Sequence, residues 1–184
     1  MIYGERIRFR AIEREDLPRF AAWLNDPEVR SGLSLFLPMS LAEEESWYEA
    51  MLKRPAAEHP LTIEVNQADI WTPIGNMGLF QIDERNRSAE VGIFIGEKSY
   101  WNKGYGSEAM RLMLRHGFNT LNLHRIYLRV YETNLRAIRS YEKAGFIHEG
   151  RMRKAEFQEG CYIDILLMSI LQPEWKESFD ATGR

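Results

Sequence analysis

Two glycines stand beside a lysine and a serine where a loop is predicted to become a helix. The segment reads YWNKGYGSEA over residues 100–109. Free backbone N–H groups and the helix dipole favour phosphate at such a helix start, and glycine allows its close approach. An isolated GxG pattern is equally consistent with an ordinary glycine-rich turn before a helix. The segment therefore indicates a phosphate site, which other motifs must support.

Two common nucleotide fingerprints fit this loop poorly. Residues 104–109 match the GxGxxA form of the dinucleotide motif, and Glu132 could serve as its ribose-binding acid. That motif follows its strand almost directly, whereas eight residues separate Ile95 from Gly104. The chain contains no GK[ST] sequence, so a P-loop is excluded. The distance between strand and loop therefore disfavours the dinucleotide-binding interpretation.

A second motif follows the loop and gives it a context. Residues 134–146 read NLRAIRSYEKAGF, which fits the pattern N-x-x-A-x-x-x-Y-x-x-x-G-F. With the preceding strand and GxG loop, it resembles motifs A and B of the GCN5-related N-acetyltransferases. Residues 4–10 and 150–171 also resemble the branch that contains RimJ/RimL-type ribosomal-protein acetyltransferases and spermidine acetyltransferase. The resemblance covers nearly all of residues 3–172 and implies an acetyl-CoA-dependent N-acetyltransferase.

The resemblance also implies which residues contact acetyl-CoA. The loop would hold the pyrophosphate, and backbone N–H groups of the preceding strand would contact pantetheine and stabilise the oxyanion. The implied donor-site residues are Ile93, Phe94, Ile95, Asn102, Lys103, Gly104, Tyr105, Gly106, Ser107, Asn134 and Lys143. Trp101 replaces the usual Gln or Arg, and we expect Lys103 and the backbone to compensate. Arg136 and Arg139 are expected on a solvated helix face.

Tyr141 and Glu90 are the candidate catalytic residues. Asn134 and Tyr141 lie seven positions apart, so they share a helix face. Each alone would fit a structural role, as a helix cap and a core aromatic. Within the motif, Tyr141 resembles the general acid that protonates the departing thiolate, since thiol and phenol have similar pKa values of about 8.5 and 10. Glu90 could accept the amine's proton, or could equally be an exposed hairpin carboxylate.

The elements that would position these residues form a single α+β domain over residues 1–172, followed by a polar tail over 173–184. A strand at 6–11 precedes two helices, one capped by Asp16 and one opened by a Ser40–Glu43 capping box. Further strands are predicted at 61–65, 74–82, 89–95, 125–131, 146–150 and 162–171, with a helix at about 104–121 and another at 134–144. The resemblance implies a mixed, mostly antiparallel sheet flanked by helices and splayed between the fourth and fifth strands, 90–95 and 125–131.

Composition narrows the classes of partner. The net charge of −3 excludes a globally basic nucleic-acid binder, but residues 1–99 carry −6 and residues 100–184 carry +3. With one cysteine, Cys161, no intramolecular disulfide can form, and the four histidines lack metal-ligand spacing, so no metal is expected. No apolar run approaches the roughly 18 residues of a membrane span, and the N-terminus lacks the layout of a signal peptide. Both observations predict a cytoplasmic protein without membrane contact.

The acceptor is the least determined part of the prediction. A protein N-terminal α-amine, a polyamine, an aminosugar and an antibiotic amine all remain open, because motifs A and B concern only the donor. The acidic half of the chain favours a cationic amine. A non-catalytic acyl-CoA-binding module on the same fold is the alternative function, and a homodimer is expected only by analogy with relatives.

Overall fold

A computed structural model of the 184-residue chain describes residues 1–175. Its strands are β1 (Ile2–Tyr3), β2 (Ile7–Ala11), β3 (Leu61–Gln67), β4 (Ile70–Asp83), β5 (Ser88–Ile95), β6 (Arg125–Tyr131), β7 (Ile147–Gln158) and β8 (Cys161–Leu171). Its helices are α1 (Leu17–Leu24), α2 (Pro27–Arg30), α3 (Leu41–Met51), α4 (Tyr105–Asn119) and α5 (Leu135–Lys143). Short 3-10 turns lie at Arg14–Asp16, Ala56–Glu58 and Lys98–Tyr100.

All eight strands belong to one sheet with the order β1-β2-β3-β4-β5-β6-β8-β7. Every neighbouring pair is antiparallel except β5 and β6, which are parallel. The α+β prediction and the β4–β5 hairpin are therefore confirmed. The sequence placed the end of β7 at residue 150, whereas the strand continues to Gln158 because its partner β8 extends equally far.

The sheet buries apolar side chains on both faces. Alternation along β5 sends Val91 toward a large core that includes Met110, Met113 and Phe118 of α4. On the other face, α1 and α3 enclose a smaller core, against which Phe94 of β5 packs. The strand that precedes the glycine loop is thus fixed from both sides.

A buried charge network connects β2 and β3 to the start of α1. Arg10 donates to both oxygens of Asp16, at 2.6 and 2.8 Å, and to Glu64 at 2.7 Å. Arg8 donates to the second oxygen of Glu64 at 2.6 Å. Burial opposes ionisation of Asp16, but the bonds from Arg10 and the Glu13 amide hold its pKa below the usual range. Asp16 precedes α1 as predicted, but its side chain makes no cap bond to that helix, because this network occupies it.

The domain core extends beyond the predicted boundary at residue 172. Trp175 is 7% exposed and packs against Phe118 of α4, with ring centroids 5.6 Å apart. Trp175, which the sequence assigned to the tail, therefore contributes to the core, and residues 176–184 lie outside the described part of the chain. Among residues 1–175, no helix is long and apolar enough to span a membrane.

Glu44 is a carboxylate enclosed by the smaller core. It lies one and two helical turns before Tyr48 and Met51, on the buried face of α3, and is 3% exposed. Desolvation raises its pKa from 4.5 to about 7. Because the folded pKa lies above the unfolded value, the unfolded chain releases this proton at lower pH, and stability falls as the pH rises from about 4.5 to 7.

We expect Glu44→Gln to stabilise the protein only when the wild-type carboxyl would be charged. The free energy of unfolding should be nearly unchanged at pH 4.5 and higher than wild type by about 3 kcal/mol at pH 8, since one pKa unit corresponds to about 1.4 kcal/mol. Urea denaturation at the two pH values measures this. The exposed neighbour Glu45→Gln is the matched control. A Glu44→Gln effect that is equal at both pH values would contradict the prediction.

Candidate active site

The site begins where two parallel strands separate. β5 and β6 pair only over Ser88–Glu90 with Arg125–Tyr127, yet β5 continues to Ile95 and β6 to Tyr131. Beyond the paired segment, β5 remains bonded to β4, and β6 remains bonded to β8. Each strand is thus held on its outer side while a gap opens between them, which confirms the predicted splay.

A cavity of about 510 Å³ occupies this gap. Its walls come from β5, β6, the glycine loop, α5 and the segment that follows α2. Ten of the eleven predicted donor-site residues line it, namely Ile93, Phe94, Ile95, Asn102, Gly104, Tyr105, Gly106, Ser107, Asn134 and Lys143, and both catalytic candidates, Tyr141 and Glu90, also line it. The fold therefore brings the two sequence motifs to one cavity.

The backbone of β5 presents alternate residues to the gap. The Ile95 carbonyl accepts a hydrogen bond from Trp101 Nε1 at 2.7 Å, whereas the next amide, Gly96 N–H, donates to Ile74 of β4 at 2.9 Å. Backbone groups alternate in direction along a strand, so Ile93 shares the orientation of Ile95. By the same alternation, the backbone of Phe94 faces β4.

The glycine loop owes its shape to left-handed backbone positions and to an arginine. Asn102 and Gly104 have φ values of +59° and +85°, which Asn tolerates and Gly adopts without strain. The Arg6 side chain donates to Glu108 in the first turn of α4 at 2.8 Å and to the Lys103 carbonyl at 3.3 Å. These bonds fix the start of α4, whose first amides are the predicted phosphate donors.

The second half of α5 lies against the start of α4. Asn134 caps α5, because its side-chain oxygen accepts from the Ala137 amide at 3.2 Å. The Ser107 and Ser140 hydroxyls are 2.9 Å apart and link the two helices. Gly145 ends α5 with a φ of +99°, as its sequence position predicts. Asn134 is therefore both a helix cap and part of the cavity wall.

Three cations on α5 face the cavity. Arg136, Arg139 and Lys143 are spaced three and four positions apart, share one helix face and line the cavity. None of them forms an ion pair within residues 1–175. The Arg136 guanidinium stacks 3.4 Å from the centroid of the Trp101 ring. Like charges on one face repel each other, so this face favours a bound anion.

Lys103 differs from its predicted placement. Its ammonium lies 5.8 Å from the centroid of the Tyr100 ring, and the residue does not line the cavity. The expectation that Lys103 compensates for Trp101 therefore stays a prediction. Instead, Trp101 supports Arg136, which the sequence assigned to a solvated face. No local pattern reveals this stack, because the two residues are 35 positions apart.

Tyr141 stands at the junction of these walls. Its ring packs against Phe146 at a centroid distance of 6.0 Å, and burial raises the pKa of the phenol to about 12. The phenol therefore remains protonated at neutral pH, as a general acid must. The same desolvation would also raise the pKa of a thiol beside it, which keeps the two groups matched.

Glu90 is held by a partner that the sequence did not indicate. Arg129 of β6 donates to the two Glu90 oxygens at 2.8 and 3.0 Å. Two positions further along β6, the Tyr131 hydroxyl lies 2.6 Å from the Ser34 hydroxyl. Glu156 of β7 completes this part of the wall. The alternation of side chains along β6 could have predicted that Arg129 and Tyr131 share one face of the sheet. Glu156 could not be found in this way, because it lay beyond the predicted end of its strand.

No cluster of three or more His, Cys, Asp or Glu residues suited to a metal ion occurs within the described residues. Cys161 is exposed and lies outside the cavity wall. The groups that could act on a substrate between β5 and β6 are therefore the Tyr141 phenol, the Glu90 and Glu156 carboxylates, the Arg129 guanidinium and the oriented backbone amides.

The sequence profile of the Acetyltransferase (GNAT) domain matches residues 6–147, and the chain belongs to this family of acetyl-CoA-dependent N-acetyltransferases. The spermidine N(1)-acetyltransferase of Vibrio cholerae serotype O1 is 34% identical over 173 residues, which cover 94% of this chain and 96% of that protein. The putative ribosomal N-acetyltransferase YdaF of Bacillus subtilis is 27% identical, with 94% and 95% covered. The crystal structure of the Vibrio cholerae spermidine N-acetyltransferase with CoA and spermine superposes with a TM-score of 0.84 at 32% identity, covering 93% of this chain and 98% of that one.

We expect Gly96→Ala to disturb the wall of this site. A Cβ atom at residue 96 would lie 2.2–2.5 Å from the Trp23 ring, which in turn contacts Phe94. Relieving that overlap should lower the free energy of unfolding by about 1–3 kcal/mol. Gly150→Ala is the matched control, because its Cβ would meet only Leu167, at 3.9 Å. Urea denaturation compares the two variants, and equal stabilities would contradict the prediction.

Proposed function

We propose that the protein transfers the acetyl group of acetyl-CoA to a primary amine by direct attack in a ternary complex. The observation that carries this proposal is the single cavity that joins the α5 cations to Tyr141 and Glu90. The α5 cations and the amides at the start of α4 would bind the phosphates of the donor. The backbone of Ile93 and Ile95 would contact its pantetheine arm and stabilise the oxyanion formed during attack.

Tyr141 would act as the general acid. When the amine attacks the thioester, the sulfur leaves with a negative charge and needs a proton. The phenol can supply it, because burial keeps it protonated at neutral pH. Water does not need to enter the cavity for this step.

Glu90 would accept a proton from the acceptor amine, directly or through water. Primary amines are mostly protonated at pH 7, and the ammonium form cannot attack. Arg129 fixes both oxygens of Glu90 in one orientation, so the carboxylate is aligned before the amine arrives. The Arg129 side chain is 50% exposed, so solvent reaches this ion pair.

The acceptor class differs among the relatives. One is a spermidine N(1)-acetyltransferase and another a putative ribosomal N-acetyltransferase, and this chain resembles both along nearly its whole length. Similarity alone therefore does not choose between a polyamine and a protein α-amine. We propose only that the acceptor carries a primary amine. The homodimer and the cytoplasmic location stay predictions.

The proposal is tested by measuring CoA thiol release from acetyl-CoA over a panel of amines. The panel contains spermidine, spermine, an aminosugar, an aminoglycoside and peptides with free N-termini. Acetylation of any member above the rate of acetyl-CoA hydrolysis supports the enzyme. A thermal shift with acetyl-CoA but no thiol release with any amine would instead support the non-catalytic acyl-CoA-binding module.

We expect Tyr141→Phe to lower kcat by about 100-fold or more with little change in the affinity for acetyl-CoA, because it removes only the transferable proton. Wild-type kcat should also show no decline from Tyr141 ionisation up to about pH 10, since the pKa of Tyr141 is about 12. Initial rates from pH 6 to 10 and calorimetric titration with acetyl-CoA measure both. Unchanged turnover in Tyr141→Phe would remove this residue from the acid role.

A further inference from the structure

Glu156 contributes a second carboxylate to the cavity. It belongs to the edge strand β7 and lines the same space as Glu90, Tyr131 and Ser34. The pKa of Tyr131 is raised, mainly by burial and in part by the neighbouring Glu156 carboxylate. The Glu156 carboxylate therefore lies close to the Tyr131 hydroxyl. Oxygens from three side chains therefore converge at one part of the wall.

A β-bulge determines that a glutamate occupies this position. Met152 pairs with Ile165, but Glu156 pairs with Ile163, so two extra residues of β7 are accommodated between these pairs. In an uninterrupted antiparallel ladder, Lys154 would stand opposite Ile163. The bulge thus substitutes an anion for a cation at this register position, and bulges beside active sites commonly re-aim side chains in this way.

The bulge is held by specific bonds. Lys154 has a φ of +50°, and its amide donates to one oxygen of Asp164 at 2.8 Å. Arg151 donates to the other Asp164 oxygen at 2.9 Å. The Asp164 amide donates in turn to Glu132, at 3.0 Å. Because these charges are engaged with each other, neither Arg151 nor Asp164 takes part in balancing Glu156.

The two cavity carboxylates differ in their charge balance. Glu90 is neutralised by a two-point ion pair with Arg129. Glu156 forms no ion pair with any residue between 1 and 175. This part of the cavity therefore carries one net negative charge in a partly desolvated wall, where an ionic partner is favourable.

We propose that Glu156, together with the Tyr131 and Ser34 hydroxyls, binds a positively charged ammonium group of the acceptor and so favours charged amines over neutral groups of the same shape. An alkylammonium has three N–H donors and no acceptor, which matches one carboxylate and two hydroxyl oxygens. Glu156 is a specificity-determining residue in this assignment, whereas Glu90 keeps its role toward the proton. The inference rests on the proposed function, since it requires the donor to occupy the same cavity.

The test uses CoA thioethers as probes, because they need no known acceptor. S-aminoethyl-CoA and S-propyl-CoA have nearly the same shape but differ by a positive charge, as do S-aminobutyl-CoA and S-pentyl-CoA. Calorimetric titration compares each pair on wild type, Glu156→Gln and Glu159→Gln. The Glu159 side chain is exposed on the same hairpin and does not line the cavity, so its variant is the matched control.

We expect wild type and Glu159→Gln to bind at least one aminoalkyl thioether about tenfold or more tightly than its alkyl partner. Glu156→Gln should lose this preference and still bind the alkyl thioethers with wild-type affinity, which also shows that the variant is folded. A wild-type protein without the preference, or a preference that survives in Glu156→Gln, would overturn the inference and leave the proposed function intact. If no thioether binds, the proposed function itself fails.

Discussion

The separation of β5 from β6 is the constraint on which the rest of the site depends. A parallel pair that stays bonded throughout would leave no space for a ligand, and a gap inside a sheet leaves backbone groups without partners. Here the gap persists because β4 and β8 hold the two strands on their outer sides. Trp101 satisfies the Ile95 carbonyl at one end of the gap. We propose that the gap-facing groups of Ile93 bind a ligand with its own amides, a requirement that the pantetheine arm of acetyl-CoA meets.

Charge is divided across this gap, but only its positive side follows the division of charge along the chain. The +3 of residues 100–184 includes the α5 cations, which form no ion pair within the described residues and line the same cavity as the glycine loop. The excess negative charge of residues 1–99 is less directly connected to the acceptor. Several carboxylates of this half are already paired, such as Asp16 with Arg10 and Glu90 with Arg129. The cavity carboxylate that forms no ion pair within the described residues, Glu156, comes instead from the second half of the chain, on β7.

Local signals predicted local structure well. The Ser40–Glu43 capping box and the left-handed Gly145 depend on residues within one helical turn, and both occur as expected. Motif order predicted that Tyr141 and the glycine loop share a cavity. Contacts between distant segments could not be predicted in this way. The partners of Asp16 and Glu90 are strand arginines whose side-chain directions depend on sheet register, and a single sequence does not specify that register.

The side of the cavity proposed to bind the donor and the side proposed to bind the acceptor also differ in how well they would tolerate substitutions. The donor side, around the glycine loop and α5, combines the α5 cations with backbone amides, glycine conformations and helix starts, and substitutions at the latter positions would alter the fold itself. The acceptor wall uses side chains of Arg129 and Tyr131, which project from β6, and of Glu156, which projects from the edge strand β7. An edge strand can gain or lose a bulge without breaking a second ladder. In the proposed function the acceptor meets Glu156 on this edge strand, so the two extra β7 residues before Glu156 would contribute to the specificity of this chain.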